Sequence, residues 1–243
     1  MKSTPNLVVD WGNTRIKVAT FLDNESLDQF TFTTKEEAKE YLRKQSFHHA
    51  LVSTVGGDAK ELSEVLVVDG NVILLTSETP LPIKVLYATP KTLGVDRLAA
   101  ACGASQLFPN QASLVIDLGS CINYEFTDAQ ANYHGGAISP GVAMRFEAMH
   151  RLTTKLPLVK PIGSSLLIGS STETCMQSGV MNGVLFELNG FIGTIKRDYA
   201  KCNILLCGGD AHFFEGKVNG VNFVPELVLL GLNKILQHNL NVV

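Results

Sequence analysis

"VVDWGNTRIKVATF", residues 8–21, is an apolar run that breaks at Asp10, passes through Gly12 and resumes as a second apolar run. Taken alone it reads as a hairpin, since Asp, Gly and Asn all favour turns. Half a chain later the layout returns. "LVIDLGSCINYEFTD", residues 114–128, carries Asp117 for Asp10, Gly119 for Gly12, a small polar residue and then another strand. One such hairpin is unremarkable, but two point to an internal duplication.

The surroundings repeat as well. After the first hairpin, "QFTFTT" (29–34) reads as a third strand and residues 34–45 as a helix with Thr34 as its cap. A strand over 49–55, a helix over 57–68 and a strand over 71–77 complete the order βββαβαβ. After the second hairpin, "NYHGGA" is a turn into more strand and 141–156 is helical. A long apolar-rich helix over 172–200, a strand over 203–209 and a C-terminal helix over 225–239 follow. The expected fold is α/β, with duplicated βββαβαβ halves at 1–113 and 114–243. No Pro/Ser-rich linker separates them, so they pack together, with the two Asp-x-Gly turns facing each other across a cleft.

The composition excludes several classes. The chain has 243 residues, 45% hydrophobic and 18% charged, with a net charge of −3, as in an ordinary soluble globular protein. That balance argues against nucleic acid or an acidic membrane surface as a partner. No stretch is long and apolar enough to span a bilayer, and "MKSTPN" leads straight into the first strand without a signal sequence. The five cysteines are irregularly spaced with no CxxC, which suits reduced thiols and a cytoplasmic location. The six histidines have no zinc-ligand spacing.

Asp-x-Gly turns suit phosphate chemistry. Gly12 lets backbone amides approach a phosphate closely, and "DWGNTRIK" adds the side chains of Asn13, Thr14 and Lys17. Asp10 would repel phosphate, so its use is to position Mg²⁺ or the waters of that ion. No GxxxxGK[ST] or GxGxxG occurs, which excludes the P-loop and Rossmann solutions. "TLGVDRLAA" (92–100) places Asp96 and Arg97 side by side after Gly94. They read either as a cap with a solvated Arg, or as a proton acceptor beside a guanidinium that orients an anionic or polar substrate. "LLCGGDA" (205–211) is a buried strand ending in Gly-Gly before a helix, where a flat ring or a phosphate can lie against backbone.

In this order, "VVDWGNT", "YATPKTLGVDR", "VIDLGSC", "GGAISPG", "IGSSTETCMQSGVMNG", "LLCGGDA" and "PELVLLGL" resemble the type III pantothenate kinases over nearly the whole chain. That family belongs to the acetate and sugar kinase, heat-shock chaperone and actin superfamily, so the resemblance implies actin-like, ribonuclease H-like halves. It implies transfer of the ATP γ-phosphoryl group to the primary hydroxyl of pantothenate, the first step toward coenzyme A. It further implies that Asp10, Trp11, Gly12, Asn13, Thr14, Arg15, Ile16 and Lys17 form the first phosphate-binding stretch, with Ser120 contacting ATP. Asp96 matches the proton acceptor. Tyr87, Gly94, Val95, Arg97 and Thr172 match pantothenate contacts, and Asp117 matches the ligand of a monovalent cation, potassium or ammonium. A homodimer with a shared active site is implied too.

Two departures stand out. "DLGSC" replaces the usual Asp-x-Gly-Thr-Ala, so Ser120 keeps the hydroxyl and loses a methyl group, while Cys121 is small enough to pack. Cys207 stands where Thr is common. A non-catalytic relative and a kinase of the same superfamily with another acceptor are the competing readings; Asp10, Asp96 and Arg97 speak against the first and "GVDR" against the second.

Overall fold

A computed structural model describes residues 4–241, so positions 1–3 and 242–243 of the two expected halves lie outside it. The chain opens with β1 (Asn6–Trp11), β2 (Ile16–Leu22), β3 (Glu25–Phe32), α1 (Lys35–Arg43), β4 (Ser46–Phe47), β5 (Ala50–Thr54), α2 (Ala59–Ser63), β6 (Val67–Val68) and β7 (Val72–Leu74). The Gly12 amide donates to the Arg15 carbonyl at 3.0 Å and closes the first turn. At α1, Thr34 and Glu37 cap each other: each side chain accepts from the other's amide at 3.3 Å. The helix expected over 57–68 shrinks to α2, because residues 67–68 leave it to pair with β4.

Next come β8 (Lys84–Val85), α3 (Val95–Leu107), β9 (Ser113–Leu118), β10 (Cys121–Thr127), β11 (Asn132–Pro140), α4 (Val142–Leu152), α5 (Thr172–Asp198), β12 (Asn203–Cys207), β13 (Asn222–Phe223) and α6 (Leu227–Asn241). "NYHGGA", expected as a turn, is already strand, paired with β10. α4 stops short of the expected 156: the Thr153 hydroxyl turns back to the Met149 carbonyl at 2.8 Å, and Pro157 follows. The second half also departs from a strict βββαβαβ order. Both α4 and α5 precede β12, and only a 3-10 turn, Ala211–Phe213, lies between β12 and β13.

The duplication is plain in the sheets. One has the order β3-β2-β1-β5-β7; the other has β11-β10-β9-β12-β13, with β8 added beside β11. In both, the first three strands are antiparallel neighbours and the later ones run parallel to the first. Asp10 and Asp117 are each the next-to-last residue of the first strand.

Alternation along these strands builds three apolar layers. Leu7 and Val9 face α1 and α2. Leu114 and Ile116 face α4 and α5. Val8 and Val115 point the other way, into a shared middle layer filled by α3 and α6. α3 is buried continuously from Arg97 to Ala104 because it has a sheet on either side. It can also lie very close to α6. A Cβ on Gly231 would collide with the Ala99 carbonyl, and one on Gly103 would come within 2.5 Å of the Leu227 carbonyl. Gly231→Ala is therefore expected to cost about 1–3 kcal/mol through overpacking. A thermal melt checks this; an unchanged Tm would mean the helices can part freely.

Candidate active site

The parity that sends Val8 and Val115 into the middle layer also sends Asp10 and Asp117 there, at the C-terminal ends of β1 and β9. Asp96, in the first turn of α3, joins them. The three are close enough to feel one another. Burial first, then Asp96 and Asp117, push the Asp10 carboxyl up to about 7 against the pull of Lys17. Burial, Asp96 and Glu125 push Asp117 up to about 6, again opposed by Lys17. Lys17 lies opposite Asp10 across the β1–β2 ladder. The two turns meet as the sequence suggests: Thr14 Oγ1 and Ser120 Oγ are 3.5 Å apart.

Gly94 precedes α3 without a capping side chain, and a Cβ there would come within 2.5 Å of Asp96 Oδ1. That oxygen accepts the Arg97 amide at 2.9 Å, which fixes the Asp96 carboxylate at the helix entrance beside Val95. Of the two readings of "GVDR", the solvated Arg is ruled out. Arg97 is buried and forms a two-pronged pair with Glu125: Nε to Oε1 at 2.5 Å and Nη2 to Oε2 at 3.0 Å. The Tyr133 hydroxyl donates to Oε2 at 2.5 Å, and the Tyr87 ring lies 5.7 Å from the guanidinium carbon. Burial works against the Arg97 charge, but Glu125 outweighs it and holds the guanidinium protonated.

Sequence reading missed Glu125. Its signal was the alternation in "CINYEFT": Ile122, Tyr124 and Phe126 are apolar and belong to the outer layer, so the polar residues between them face inward. Ser53 was missed too. It pairs with Asp10 across the parallel β1–β5 ladder, is fully buried, and its hydroxyl has no partner among the described residues.

A pocket of about 360 Å³ opens between the halves, bounded by Lys17 and Thr31 on one side and by Gly208, Gly209, His212, Phe223 and Pro225 on the other. Gly208 has φ +92°, and a Cβ on it would strike the Leu118 carbonyl at 2.5 Å. The helix expected after Gly-Gly is only the three-residue 3-10 turn, so backbone and ring surfaces shape this pocket rather than a helix end. Cys207 faces the middle layer opposite Asp117, and burial, then Asp117, hold its thiol far above the ordinary range.

Other expected residues are placed differently. Asn13, Thr14 and Arg15 are exposed in the turn, and Arg15 offsets the charge of Asp210. Ile16 sits in the outer core and Trp11 packs beside it, against Gly57, so both side chains are committed to packing. Thr172 does not line the Asp96 site of its own chain. It is exposed at the start of α5, on a separate open groove of about 780 Å³ with Met149, Leu156 and Cys175.

Among the described residues, no three His, Cys, Asp or Glu side chains form a metal cage. Asp10 and Asp117, half-buried and served by one lysine, still hold surplus negative charge. They suit a cation that keeps its waters and shares phosphate oxygens as ligands.

Residues 6–194 match the family model described as "Type III pantothenate kinase". The chain is 41% identical to the type III pantothenate kinase of Bacteroides fragilis, over 96% of this chain and 98% of that one. With the enzyme of the same name from Cytophaga hutchinsonii, identity is 40% over 96% and 99%. Among solved structures, a Campylobacter jejuni protein described as a Baf family transcriptional activator superposes with a TM-score of 0.65 at 21% identity, covering 97% of this chain and 99% of that one. The ADPNP-bound activator of 2-hydroxyisocaproyl-CoA dehydratase from Clostridium difficile gives 0.52 at 13%, covering 98% and 97%. At those identities the likeness speaks for the fold.

Proposed function

The chain belongs to the type III pantothenate kinase family and phosphorylates pantothenate with ATP on the way to coenzyme A, and we propose that Asp96 accepts the hydroxyl proton in that transfer. The observation that carries this role is the fixed Asp96 carboxylate at the entrance of α3, beside the paired Arg97 and within the field of Asp10 and Asp117.

Phosphoryl transfer asks for positioning and charge stabilisation more than covalent help. The turns around Gly12 and Ser120 hold the phosphates from two sides, and Lys17 offsets their charge. The pocket beside Gly208 and Gly209 takes the nucleoside. Asp10 would hold Mg²⁺ brought with ATP, and the ion would supply charge neutralisation on the phosphates. Asp117 serves a monovalent cation, potassium or ammonium. Arg97, Tyr87, Gly94 and Val95 contact pantothenate.

We further propose a homodimer with a shared site, and this chain has a surface to suit one. Leu166, Leu167, Ile168 and Phe186 are at least 60% exposed, which leaves an apolar band along and before α5. In that shared site we place Thr172 against the neighbour's Asp96 and Arg97. Five free cysteines suit a cytoplasmic protein, and among the described residues no helix is long and apolar enough to cross a membrane.

An ADP-release assay with pantothenate, a hexose and acetate as acceptors tests this reading. Turnover is expected with pantothenate alone, rising when potassium or ammonium replaces sodium, and Asp117→Asn should flatten that rise. Equal rates in sodium and potassium would remove the monovalent site. Turnover of the hexose or acetate instead would overturn the acceptor assignment.

A further inference from the structure

We propose that Glu125 is a positioning residue for substrate recognition: it occupies the Nε/Nη2 fork of Arg97 so that the Nη1/Nη2 fork is presented to the carboxylate of the acceptor. This rests on the reading above that Arg97 contacts pantothenate, and it adds which end of the molecule Arg97 reads and what aims it.

A carboxylate inside a strand is costly to bury, and Glu125 is 1% exposed in the middle of β10. Stability alone does not call for the pair. Buried ion pairs can often be replaced by apolar side chains of similar volume with no loss of stability. The geometry suggests another use. Oε1 takes Nε, while Oε2 takes both Nη2 and the hydroxyl of the fully buried Tyr133. A planar guanidinium gripped along one edge cannot swivel, so its orientation is fixed before a ligand arrives.

Tyr87 confines the guanidinium further, and its own place depends on Gly135, where a Cβ would come within 2.8 Å of the Tyr87 ring. Gly135 has φ +93°, a conformation glycine adopts freely. Beyond the Nε and Nη2 hydrogens taken by Glu125, Arg97 keeps a second parallel pair of N–H groups beside Tyr87, the arrangement that matches a carboxylate. Pantothenate is an anion with its carboxylate at one end and its reacting hydroxyl at the other. A guanidinium held next to Asp96 in sequence would orient the whole acceptor from its charged end.

The test compares pantothenate with pantothenol, in which a primary alcohol replaces the carboxylate, each as acceptor and as competitive inhibitor. The variants are Glu125→Gln, Glu125→Asp and Tyr133→Phe, with Arg97→Lys as reference and circular dichroism as the check on folding. In Glu125→Gln the KM for pantothenate should rise about tenfold or more. The KM for ATP and the affinity for pantothenol should stay put, so the preference for the acid over the alcohol collapses. Glu125→Asp should recover part of that preference. Tyr133→Phe, which keeps the ion pair and loses one hydrogen bond, should show a smaller change in the same direction; it carries the test if Glu125→Gln does not fold.

A lower kcat with all three affinities unchanged would make Glu125 structural only and overturn the proposal. Equal losses for pantothenate and pantothenol would overturn it too, because the carboxylate would not be what Arg97 reads. If Arg97→Lys leaves the pantothenate KM unchanged, the underlying assignment of Arg97 falls. If that variant raises the KM while Glu125→Gln and Tyr133→Phe do not, only the role of Glu125 falls.

Discussion

Asp96→Asn is expected to fold as the parent does and to lose about a hundredfold to ten-thousandfold in kcat, the usual span for a missing general base. The substitution is nearly isosteric. The oxygen of the new carboxamide can still accept the Arg97 amide that now holds Asp96 Oδ1 at 2.9 Å, so the side chain keeps its place. The group turned toward the acceptor then becomes an amide, which cannot take a proton. Arg97 and Glu125 are untouched, so KM for pantothenate should move little. Near-parental kcat in a folded Asp96→Asn protein would sink the proton-acceptor role. The same variant also tests the shared site when mixed with Thr172→Arg under conditions that exchange subunits. About half of the dimers would then be mixed and each would hold one intact site, so about a quarter of parental activity should return. Demonstrated exchange with no recovery would mean that each chain builds its own pocket.

The duplication was legible because it rests on local signals. Asp-x-Gly between two apolar runs is a pattern of adjacent residues, and Asp10 and Asp117 fall at matching positions of matching strands. What eluded reading depends on distant partners. Glu125 is one acidic residue in a strand until Arg97, 28 positions away, is packed against it. Ser53 is a strand serine until β5 is laid beside β1. The middle layer is the largest case. "VDRLAAACGASQL" and the C-terminal helix are separated by most of the second half, yet Gly103 and Gly231 let them lie together between the sheets. Short elements failed for a different reason. Residues 64–68 are Glu-Val-Leu-Val-Val, whose three β-branched valines favour a strand once β4 is there to pair with β6.

Asp10→Asn is expected to trade turnover for stability, with a pH signature that identifies the cause. The Asp10 carboxyl rises from 3.8 to about 7 on folding, mainly because it is buried, with Asp96 and Asp117 adding to the effect. A raised folded pKa means that the native state binds the proton more tightly than the unfolded chain does. Below about pH 4 both states are protonated, and the favourable contribution of the neutral acid is fully present. As pH climbs toward the folded value of about 7, the unfolded chain has already ionised freely while the folded protein must ionise a group it has taken out of water, and that contribution is lost. One pKa unit corresponds to about 1.4 kcal/mol, and water in the open cleft reduces the total, so the loss by about pH 8 is on the order of 2 kcal/mol. The carboxamide of the variant does not ionise. In the absence of nucleotide and Mg²⁺, the variant should therefore melt several degrees above the parent at about pH 8, with the gap closing toward about pH 5. Adding Mg²⁺ should narrow the alkaline gap from the parent's side, since a cation near Asp10 offsets its charge. Turnover should fall sharply in the same variant, with the Mg²⁺ dependence displaced and only partial rescue at high Mg²⁺. A melting difference that is the same at both pH values would mean that the Asp10 charge is not under strain in the fold. An unchanged Mg²⁺ dependence would remove its role in placing the ion. On the proposed reading, the charge that destabilises the enzyme without nucleotide is the same charge that would draw a phosphate-bound cation, so both effects should vanish together when the carboxylate is removed.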